Sequence, residues 1–523
     1  MELPRSRRRR LAKLALVACS LGFAALLGEA VLRVVGRYRL GSLRLAPVGT
    51  ASTAGPAAVL DLAPELVAAF SARWQQLRPE LDPAWLRTSP PPLPQPPALG
   101  KLLRPQQDWL LHYYVTNAVL LRAMWVKGQG LPMFPGLELP EEFTVFEPPG
   151  GKVTPRYRYP ASRTLPTGLV TNAFGFRGRE LPVAKPARTV RIGFVGASTT
   201  VEAHGLPHSA PELVEHWLSL WAAQRRLDVQ FETLNGAREA IQSADIRAIV
   251  EDELLPLDLD YLVYYEGANQ FQPATLQKHV RVEGGYALAA PPPGLVGTFD
   301  ETATADTTLL DSLAVWSAMA RYLRSALQSG QRLAEPAKPA QQVTLAEELL
   351  TGPFPLDRSS GVLELDAIAG DLAAIRAAVE ARQARFVLST FWWLAEPGMT
   401  VDAVWGKNVH VHLNRAYWPF RYDTVRTLAD LQNRFFTAWA GANAVDLLDI
   451  AAELPHDERL AIDAIHHNEL GVRLKAWVMF AQLTRWLERD LASGRLPTAS
   501  RSNRAGPETG RVFTVRRAEL DSR

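Results

Sequence analysis

The sequence predicts a three-layer α/β/α sandwich built around a central, mostly parallel β-sheet. Between about residues 190 and 490, short apolar runs alternate with segments of helical length and period, which is the pattern of repeated βαβ units. Polar residues follow several of the apolar runs, where ligands bind in open α/β sheets. The chain has 523 residues, 47% of them hydrophobic and 21% charged, so it can build a sizeable core.

The first predicted strand is an apolar run over 191–195, which ends at Gly196-Ala197-Ser198. The other strands and the helices between them follow from the same alternation. The remaining strands are predicted at 229–234, 261–265, 385–390 and 444–448. The helices are predicted at 211–226, 240–255, 363–383, 422–440 and 469–487. Right-handed crossovers would bring the carboxyl ends of these strands to one edge of the sheet.

A transmembrane helix is predicted to precede this domain. A cluster of arginines and Lys13 comes before an apolar stretch over 14–35, and about 20 residues suffice to cross a hydrocarbon core. Glu29 and Arg33 lie four residues apart and can pair on one helix face. The basic cluster favours a cytoplasmic amino terminus, which places the rest of the chain in the periplasm or outside the cell. A cleaved signal peptide is the rival interpretation, although no small-residue cleavage site ends the run.

The domain boundaries follow from shifts in composition. Residues 1–36 are the predicted cytoplasmic basic tip and inner-membrane anchor, and 37–150 a Pro-interrupted helical region near the membrane, with helical patterns at 59–87 and 109–125. That region could cover the main domain or form a separate module. The α/β domain spans 151–490, and an insertion at about 280–360 is either a substrate-shaping lid or a peripheral helix. Residues 491–523 are predicted to be disordered.

Charge and cysteine content exclude several classes of protein. A net charge of +3 over this length, with the basic excess at the two ends, argues against a nucleic-acid partner. The single cysteine, Cys19, lies inside the predicted anchor, so disulfides and multi-cysteine metal sites are excluded. His410 and His412 alternate on a Val-rich stretch, but no further ligands stand near them in the sequence, and no metal or cofactor is expected.

Four strand ends or loops carry residues suited to acyl transfer. Ser198 follows the first strand, Gly236 the second and Asn269 the third, and Asp463 precedes His466 by three residues near the last helix. A serine hydroxyl becomes a nucleophile when a histidine takes its proton. A carboxylate on the second histidine nitrogen fixes the tautomer, and amide donors stabilise the oxyanion.

The order and spacing of these residues resemble the SGNH (GDSL-type) hydrolase superfamily, over roughly residues 165–485. Gly196-Ala197-Ser198 is similar to its first block, Gly267-Ala268-Asn269 to its third, and Asp463–His466 to its fifth. The stretch 172–178 looks like a lead-in found in membrane-anchored members. Two blocks depart from the pattern: Ala197 replaces the usual Asp, and Gly236 falls a few residues before the usual glycine of block two.

The resemblance implies an SGNH, flavodoxin-like sandwich and assigns roles to these residues. Ser198 would be the nucleophile, His466 the general base and Asp463 its orienting acid. The oxyanion hole would be formed by Ser198, Gly236 and Asn269. His204, Trp392 and Trp393 are candidates to line the substrate pocket, with a solvated loop for His204 and core packing for the two tryptophans as the alternatives.

The function expected from this resemblance is that of a membrane-anchored serine esterase or deacetylase. Its substrate would be an acyl ester, acetyl above all, on a small molecule or polysaccharide of the cell envelope. The same three catalytic residues could instead transfer the acyl group to a sugar hydroxyl, as in a glycan O-acetyltransferase. The altered first and second blocks also leave open a degenerate, non-catalytic envelope protein.

Overall fold

The structure is a computed structural model. It describes residues 5–35, 59–93, 142–147, 169–203, 206–239, 241–270, 347–356, 365–394, 422–462 and 464–500, with short pieces at 40, 159, 161–162, 164, 281–282, 313, 317–320, 322–323, 343–344 and 511–516. The predicted helix at 109–125, most of the insertion, and His410 and His412 lie outside these ranges. So do Asp463 and His204.

The central sheet has five strands, and all of them are parallel. They are β1 (Thr189–Gly196), β2 (Gln230–Asn235), β3 (Tyr261–Tyr265), β4 (Arg385–Ser389) and β5 (Asp446–Leu448). Their order in the sheet is β2-β1-β3-β4-β5. Every residue of β1 and β3 is buried, as expected for strands that helices cover on both faces. The predicted mostly parallel α/β sheet is confirmed.

Seven longer helices are described. They are α1 (Arg5–Val35), α2 (Pro64–Leu77), α3 (Ala210–Gln224), α4 (Ser243–Ile249), α5 (Leu365–Ala381), α6 (Tyr422–Ala442) and α7 (Glu469–Ala492). Helix α3 packs on α7, and α4 packs on α5. With this strand order, right-handed crossovers place the two pairs on opposite faces of the sheet, which gives three layers.

Local sequence signals fix where the important helices begin. Helix α3 begins after a capping box in which the Ser209 side chain and Glu212 satisfy each other's backbone amides. Helix α7 begins after Asn468, whose side-chain oxygen accepts from the Gly471 amide at 3.0 Å. Short helices lie at Pro83–Arg87, Ser198–Val201, Val250–Leu254, Leu255–Leu257, Ala268–Gln270, Glu347–Leu350, Ile450–Glu453 and Glu458–Leu460.

The region before the α/β domain covers it where the structure describes that region. Val59, Phe70 and Trp74 belong to the same buried cluster as the sheet and its helices. Arg473 of α7 is also buried, and its guanidinium donates to the carbonyls of Leu86 at 2.9 Å and Thr88 at 2.8 Å. Residues 59–93 therefore pack against the α/β domain.

The segment after α7 contacts the α/β domain as far as residue 500, within the stretch 491–523 that the sequence predicts to be disordered. The Asp260 carboxylate accepts from Lys185 Nζ at 2.9 Å and from the Thr498 hydroxyl at 2.5 Å, and it lies in the core. Further on, Arg511–Arg516 pairs antiparallel with Glu142–Glu147. A second short ladder joins Arg281–Val282 to Val343–Thr344 within the insertion. Composition does not reveal such distant partners.

Helix α1 contacts the insertion. The Glu29 carboxylate pairs with Arg33 Nε at 2.7 Å, the i,i+4 pair expected from the sequence. It also accepts from the Ser317 hydroxyl at 2.8 Å and from the Ala318 amide at 2.8 Å. Among the described residues, the helices include none that is both long and apolar enough to span a bilayer.

Candidate active site

Ser198 stands directly beyond the carboxyl end of β1, in a turn that requires glycine. A Cβ on Gly196 would lie 2.1 Å from the Tyr265 carbonyl oxygen and 2.2 Å from Thr200 Oγ1, closer than real atoms approach. The Thr200 hydroxyl donates to that same carbonyl at 2.8 Å. The turn therefore packs against the end of β3. Ser198 is half-buried, while its neighbours on both sides are buried.

His466 lies beside Ser198 although 268 residues separate them in the chain. The distance from Ser198 Oγ to His466 Nε2 is 2.8 Å, which is hydrogen-bond distance for a hydroxyl and a neutral imidazole nitrogen. The loop around His466 is held by backbone bonds, including Ile462 N to His466 O at 2.8 Å and Leu394 N to Ala464 O at 2.7 Å. The position of Asp463 beside this histidine stays a prediction.

Asn269 follows β3 and connects two loops at the same edge. Its side-chain Nδ2 donates to the Ile241 carbonyl at 2.8 Å, and Gln242 Nε2 donates to the Asn269 carbonyl at 3.2 Å. Like Ser198, Asn269 is half-buried between buried neighbours. An amide nitrogen has two hydrogens, so Nδ2 has a second donor to offer besides the one that Ile241 takes.

The amides directly after β2 are engaged within the fold. Gly236 N donates to the Phe194 carbonyl at 3.0 Å, and Arg238 N to the Gly196 carbonyl at 3.3 Å. The Ala237 amide donates to Asn235 Oδ1 at 3.3 Å. The assignment of Gly236 to the oxyanion hole therefore needs correction, because its N–H extends the hydrogen-bond ladder of the sheet. A donor from this strand end has to come from later in the loop.

Sequence reasoning missed two buried carboxyl groups at this edge. Glu266, directly after β3, accepts from the Asn269 amide at 3.0 Å. Burial raises its pKa to about 7, and hydrogen bonds from the amides of Asn269, Gly267 and Ala197 oppose that shift. Burial raises the pKa of Glu239, in the loop after β2, to about 8. The sequence carried no sign that the carboxyl groups of Glu239 and Glu266 are buried, because their burial depends on how the loops pack.

The two tryptophans predicted to line the pocket belong to the core. Trp392 has no exposed surface and Trp393 has 2%. The Trp392 indole lies 4.4 Å from the ring of His467, measured between centroids, and its N–H donates to the Pro455 carbonyl at 3.2 Å. Neither ring offers a face to a substrate, which corrects that interpretation in favour of packing. His204 lies outside the described residues.

The motif upstream of β1 reaches the turn that carries Ser198. Asn172 Oδ1 accepts from the amides of Phe174 at 3.0 Å and Phe176 at 3.1 Å, which folds the stretch 172–176 into a tight loop. Arg177 then extends into the protein, where its guanidinium donates to the carbonyls of Glu202 and Leu206. The motif was visible in the sequence, but the role of its arginine was not.

No group of three or more His, Cys, Asp or Glu side chains suited to a metal ion occurs in the parts of the chain that the structure describes.

Comparison with known proteins gives only distant likenesses. No family profile and no curated protein matches the chain. Among solved structures, a GDSL-like lipase from Bacteroides thetaiotaomicron is 10% identical, with 57% of this chain and 88% of that chain covered and a TM-score of 0.26. The acetyl xylan esterase AlAXEase is 14% identical, with 56% and 98% covered and a TM-score of 0.29. The acetylxylan esterase Axe2 from Geobacillus stearothermophilus is 11% identical, with 56% and 94% covered and a TM-score of 0.30.

Proposed function

We propose that the protein is a serine esterase whose nucleophile is Ser198 and whose general base is His466. The observation that carries this proposal is the 2.8 Å separation of Ser198 Oγ and His466 Nε2 at the carboxyl edge of a parallel sheet. Ligands bind at this edge in open α/β folds. A hydroxyl at the end of a strand, paired with an imidazole from a distant loop, is the arrangement that activates serine for acyl transfer.

The reaction proceeds in two halves. In the first, Ser198 Oγ attacks the ester carbonyl and its proton passes to His466 Nε2. The tetrahedral intermediate then collapses: the bond to the leaving alkoxide breaks, His466 returns the proton to that oxygen, and an acyl-serine remains. In the second half, water gives a proton to His466 and attacks the acyl-serine. When the second intermediate collapses, the bond to Ser198 Oγ breaks, His466 returns the proton to that oxygen, and the acid is released.

Donors around the turn would stabilise the oxyanion of both intermediates. The Ser198 amide opens the short helix Ser198–Val201, and the Asn269 side chain offers its second amide hydrogen. Losing one such donor costs about 3 kcal/mol in transition-state stabilisation. Asp463 is proposed to hold the imidazole from its other side, as the spacing of the motif implies.

We further propose that the substrate is an acyl ester, acetyl above all, of a cell-envelope molecule. The support is the basic cluster and apolar stretch at the amino terminus, which together favour an inner-membrane anchor with the domain on the periplasmic or outer side. Extraction of full-length protein from membranes at alkaline pH tests the anchor. Release into the supernatant would contradict it.

Active-site labelling tests the esterase. The wild-type protein is expected to react with a fluorophosphonate probe and to hydrolyse p-nitrophenyl acetate. Ser198→Ala is expected to abolish both, and His466→Gln to slow both by at least about 1000-fold, because the nucleophile loses its base. A folded wild-type protein that resists the probe would support a non-catalytic role instead.

Product analysis separates hydrolysis from transfer. An acetylated donor is supplied with and without a glycan acceptor, and free acetate and acetylated glycan are measured. A hydrolase releases acetate at the same rate in both reactions. Acetylated glycan formed at the expense of acetate, and lost in Ser198→Ala, would identify an O-acetyltransferase.

A further inference from the structure

The turn that carries Ser198 is too short to satisfy its own carbonyl groups. Ser198–Val201 is a single helical turn, and the last carbonyls of any helix lack partners within it. The Ser198 carbonyl accepts from the Glu202 amide at 3.0 Å. The carbonyls that follow depend on other parts of the chain. The hydrogen bonds to these carbonyls therefore bear on the position of Ser198.

Three buried side chains donate hydrogen bonds to carbonyls of this turn. Lys475 Nζ donates to the Thr199 carbonyl at 2.6 Å. Asn235 Nδ2 donates to the Thr200 carbonyl at 2.9 Å. The Arg177 guanidinium donates to the carbonyl of Glu202, the residue that ends the turn. These three come from α7, from the end of β2 and from the upstream motif.

Lys475 makes the most buried of these contacts. Its side chain has no exposed surface, and Nζ lies 2.5 Å from Glu202 Oε1 and 4.9 Å from the centre of the Tyr265 ring. The second Glu202 oxygen accepts from the Ala210 amide at 2.6 Å. Burial lowers the pKa of Lys475 and raises that of Glu202, and their mutual attraction opposes both shifts.

A buried ion pair of this kind is weak evidence for stability. The cost of removing two charges from water commonly matches the attraction between them, and an uncharged pair of similar volume is often as stable. Lys475, however, also holds the Thr199 carbonyl, and it does so from the helix that begins three residues after His466. It thereby links the turn of the nucleophile to the element that follows the base.

We infer that Lys475 is a positioning residue for the reaction. It holds the Ser198 turn at the distance and orientation that Nε2 of His466 requires, and Glu202 keeps its ammonium group in place. The ammonium charge of Lys475 also lies near the carboxyl end of the turn, where it interacts favourably with the peptide dipoles of the turn. These dipoles orient the Ser198 amide. This inference rests on the proposed esterase activity.

A double variant, Lys475→Met with Glu202→Gln, tests the inference in the full-length protein. It removes both charges together, and the glutamine oxygen can still accept from Ala210. The matched control is Lys185→Met with Asp260→Asn. That pair is equally buried, with Nζ 2.9 Å from the carboxylate, but it lies at the amino ends of the strands, away from Ser198.

The expected result is a loss of rate without a loss of binding. In the Lys475/Glu202 variant, kcat and the rate of fluorophosphonate labelling fall about 100-fold, the cost of a misplacement of about 1 Å, while KM stays within about threefold. The Lys185/Asp260 control keeps the wild-type kcat at a similar or lower melting temperature. Wild-type rates in a folded Lys475/Glu202 variant would overturn the inference.

Two further variants keep the test decisive. If the double variant does not fold, Asn235→Ala removes the neighbouring hydrogen bond to the Thr200 carbonyl and leaves the ion pair intact. An unchanged kcat in this variant contradicts the inference that side-chain hydrogen bonds to these carbonyls position Ser198. Ser198→Ala separates the two proposals. Probe labelling of the wild type that survives Ser198→Ala contradicts the esterase itself, whereas Ser198-dependent labelling with no effect at Lys475 contradicts only the positioning role.

Discussion

Replacement of Glu239 by glutamine should make the protein more stable at alkaline pH. Glu239 is 2% exposed in the loop after β2, and burial raises the pKa of its carboxyl group from 4.5 to about 8. The unfolded chain releases this proton near pH 4.5, but the folded chain holds it until about pH 8. Glutamine keeps the size and shape of the protonated side chain and cannot ionise.

The size of the effect follows from linkage between protons and folding. Between pH 4.5 and 8 the folded state binds more protons than the unfolded state at this position, so stability falls as the pH rises. At 1.36 kcal/mol for each pKa unit, the loss reaches at most about 5 kcal/mol above pH 8. Below pH 4 the group is neutral in both states, and its contribution vanishes.

Urea unfolding of the protein at pH 5 and pH 9 measures the effect. Glu239→Gln should have a higher free energy of unfolding than the wild type. This difference should be about 3–4 kcal/mol larger at pH 9 than at pH 5. Glu251→Gln is the control, because Glu251 is exposed and pairs with Arg247 one turn away, so its change should stay below about 0.5 kcal/mol. An equal difference between the free energies of unfolding of wild type and Glu239→Gln at pH 5 and at pH 9 would refute the reasoning.

Two more substitutions test the packing of the site. Gly196→Ala places a Cβ 2.1 Å from the Tyr265 carbonyl oxygen, so we expect destabilisation of at least about 2 kcal/mol and loss of probe labelling. The control is Gly370→Ala in α5, where the added Cβ meets open space. This variant should be neutral or slightly stabilised in thermal unfolding. Trp393→Phe deletes the 2.8 Å bond from the indole N–H to Gln432 Oε1 and should cost about 1–3 kcal/mol with KM unchanged. A raised KM with unchanged stability would restore Trp393 as a substrate contact.

The strands were predictable because a parallel sheet buries both of its faces. The run at 261–265 was predicted with the bounds it has in the structure, and the other four strands lie within two residues of their predicted bounds. Continuous apolar runs leave a signal that does not depend on distant partners. The short π-helical turn Val250–Leu254, which continues α4, left no such signal.

The candidate site was predictable in part. Ser198, Asn269 and His466 were chosen because polar residues followed predicted strands or preceded the last helix, and the sheet brings Ser198 and His466 to hydrogen-bond distance. Gly236 was chosen in the same way, but its amide bonds to Phe194 in the neighbouring strand. Which partner a backbone amide finds depends on strand register, which the sequence of one strand does not state.

The sequence by itself determined the order of strands and helices, the edge at which polar residues gather, and the pairing of a serine with a later histidine. Only the tertiary structure decided which groups are buried. It placed Trp392 and Trp393 in the core, raised the pKa values of Glu239 and Glu266, and brought Lys475 to the Thr199 carbonyl. Periodicity records the neighbours of a residue along the chain, whereas burial and charge pairing depend on residues hundreds of positions away.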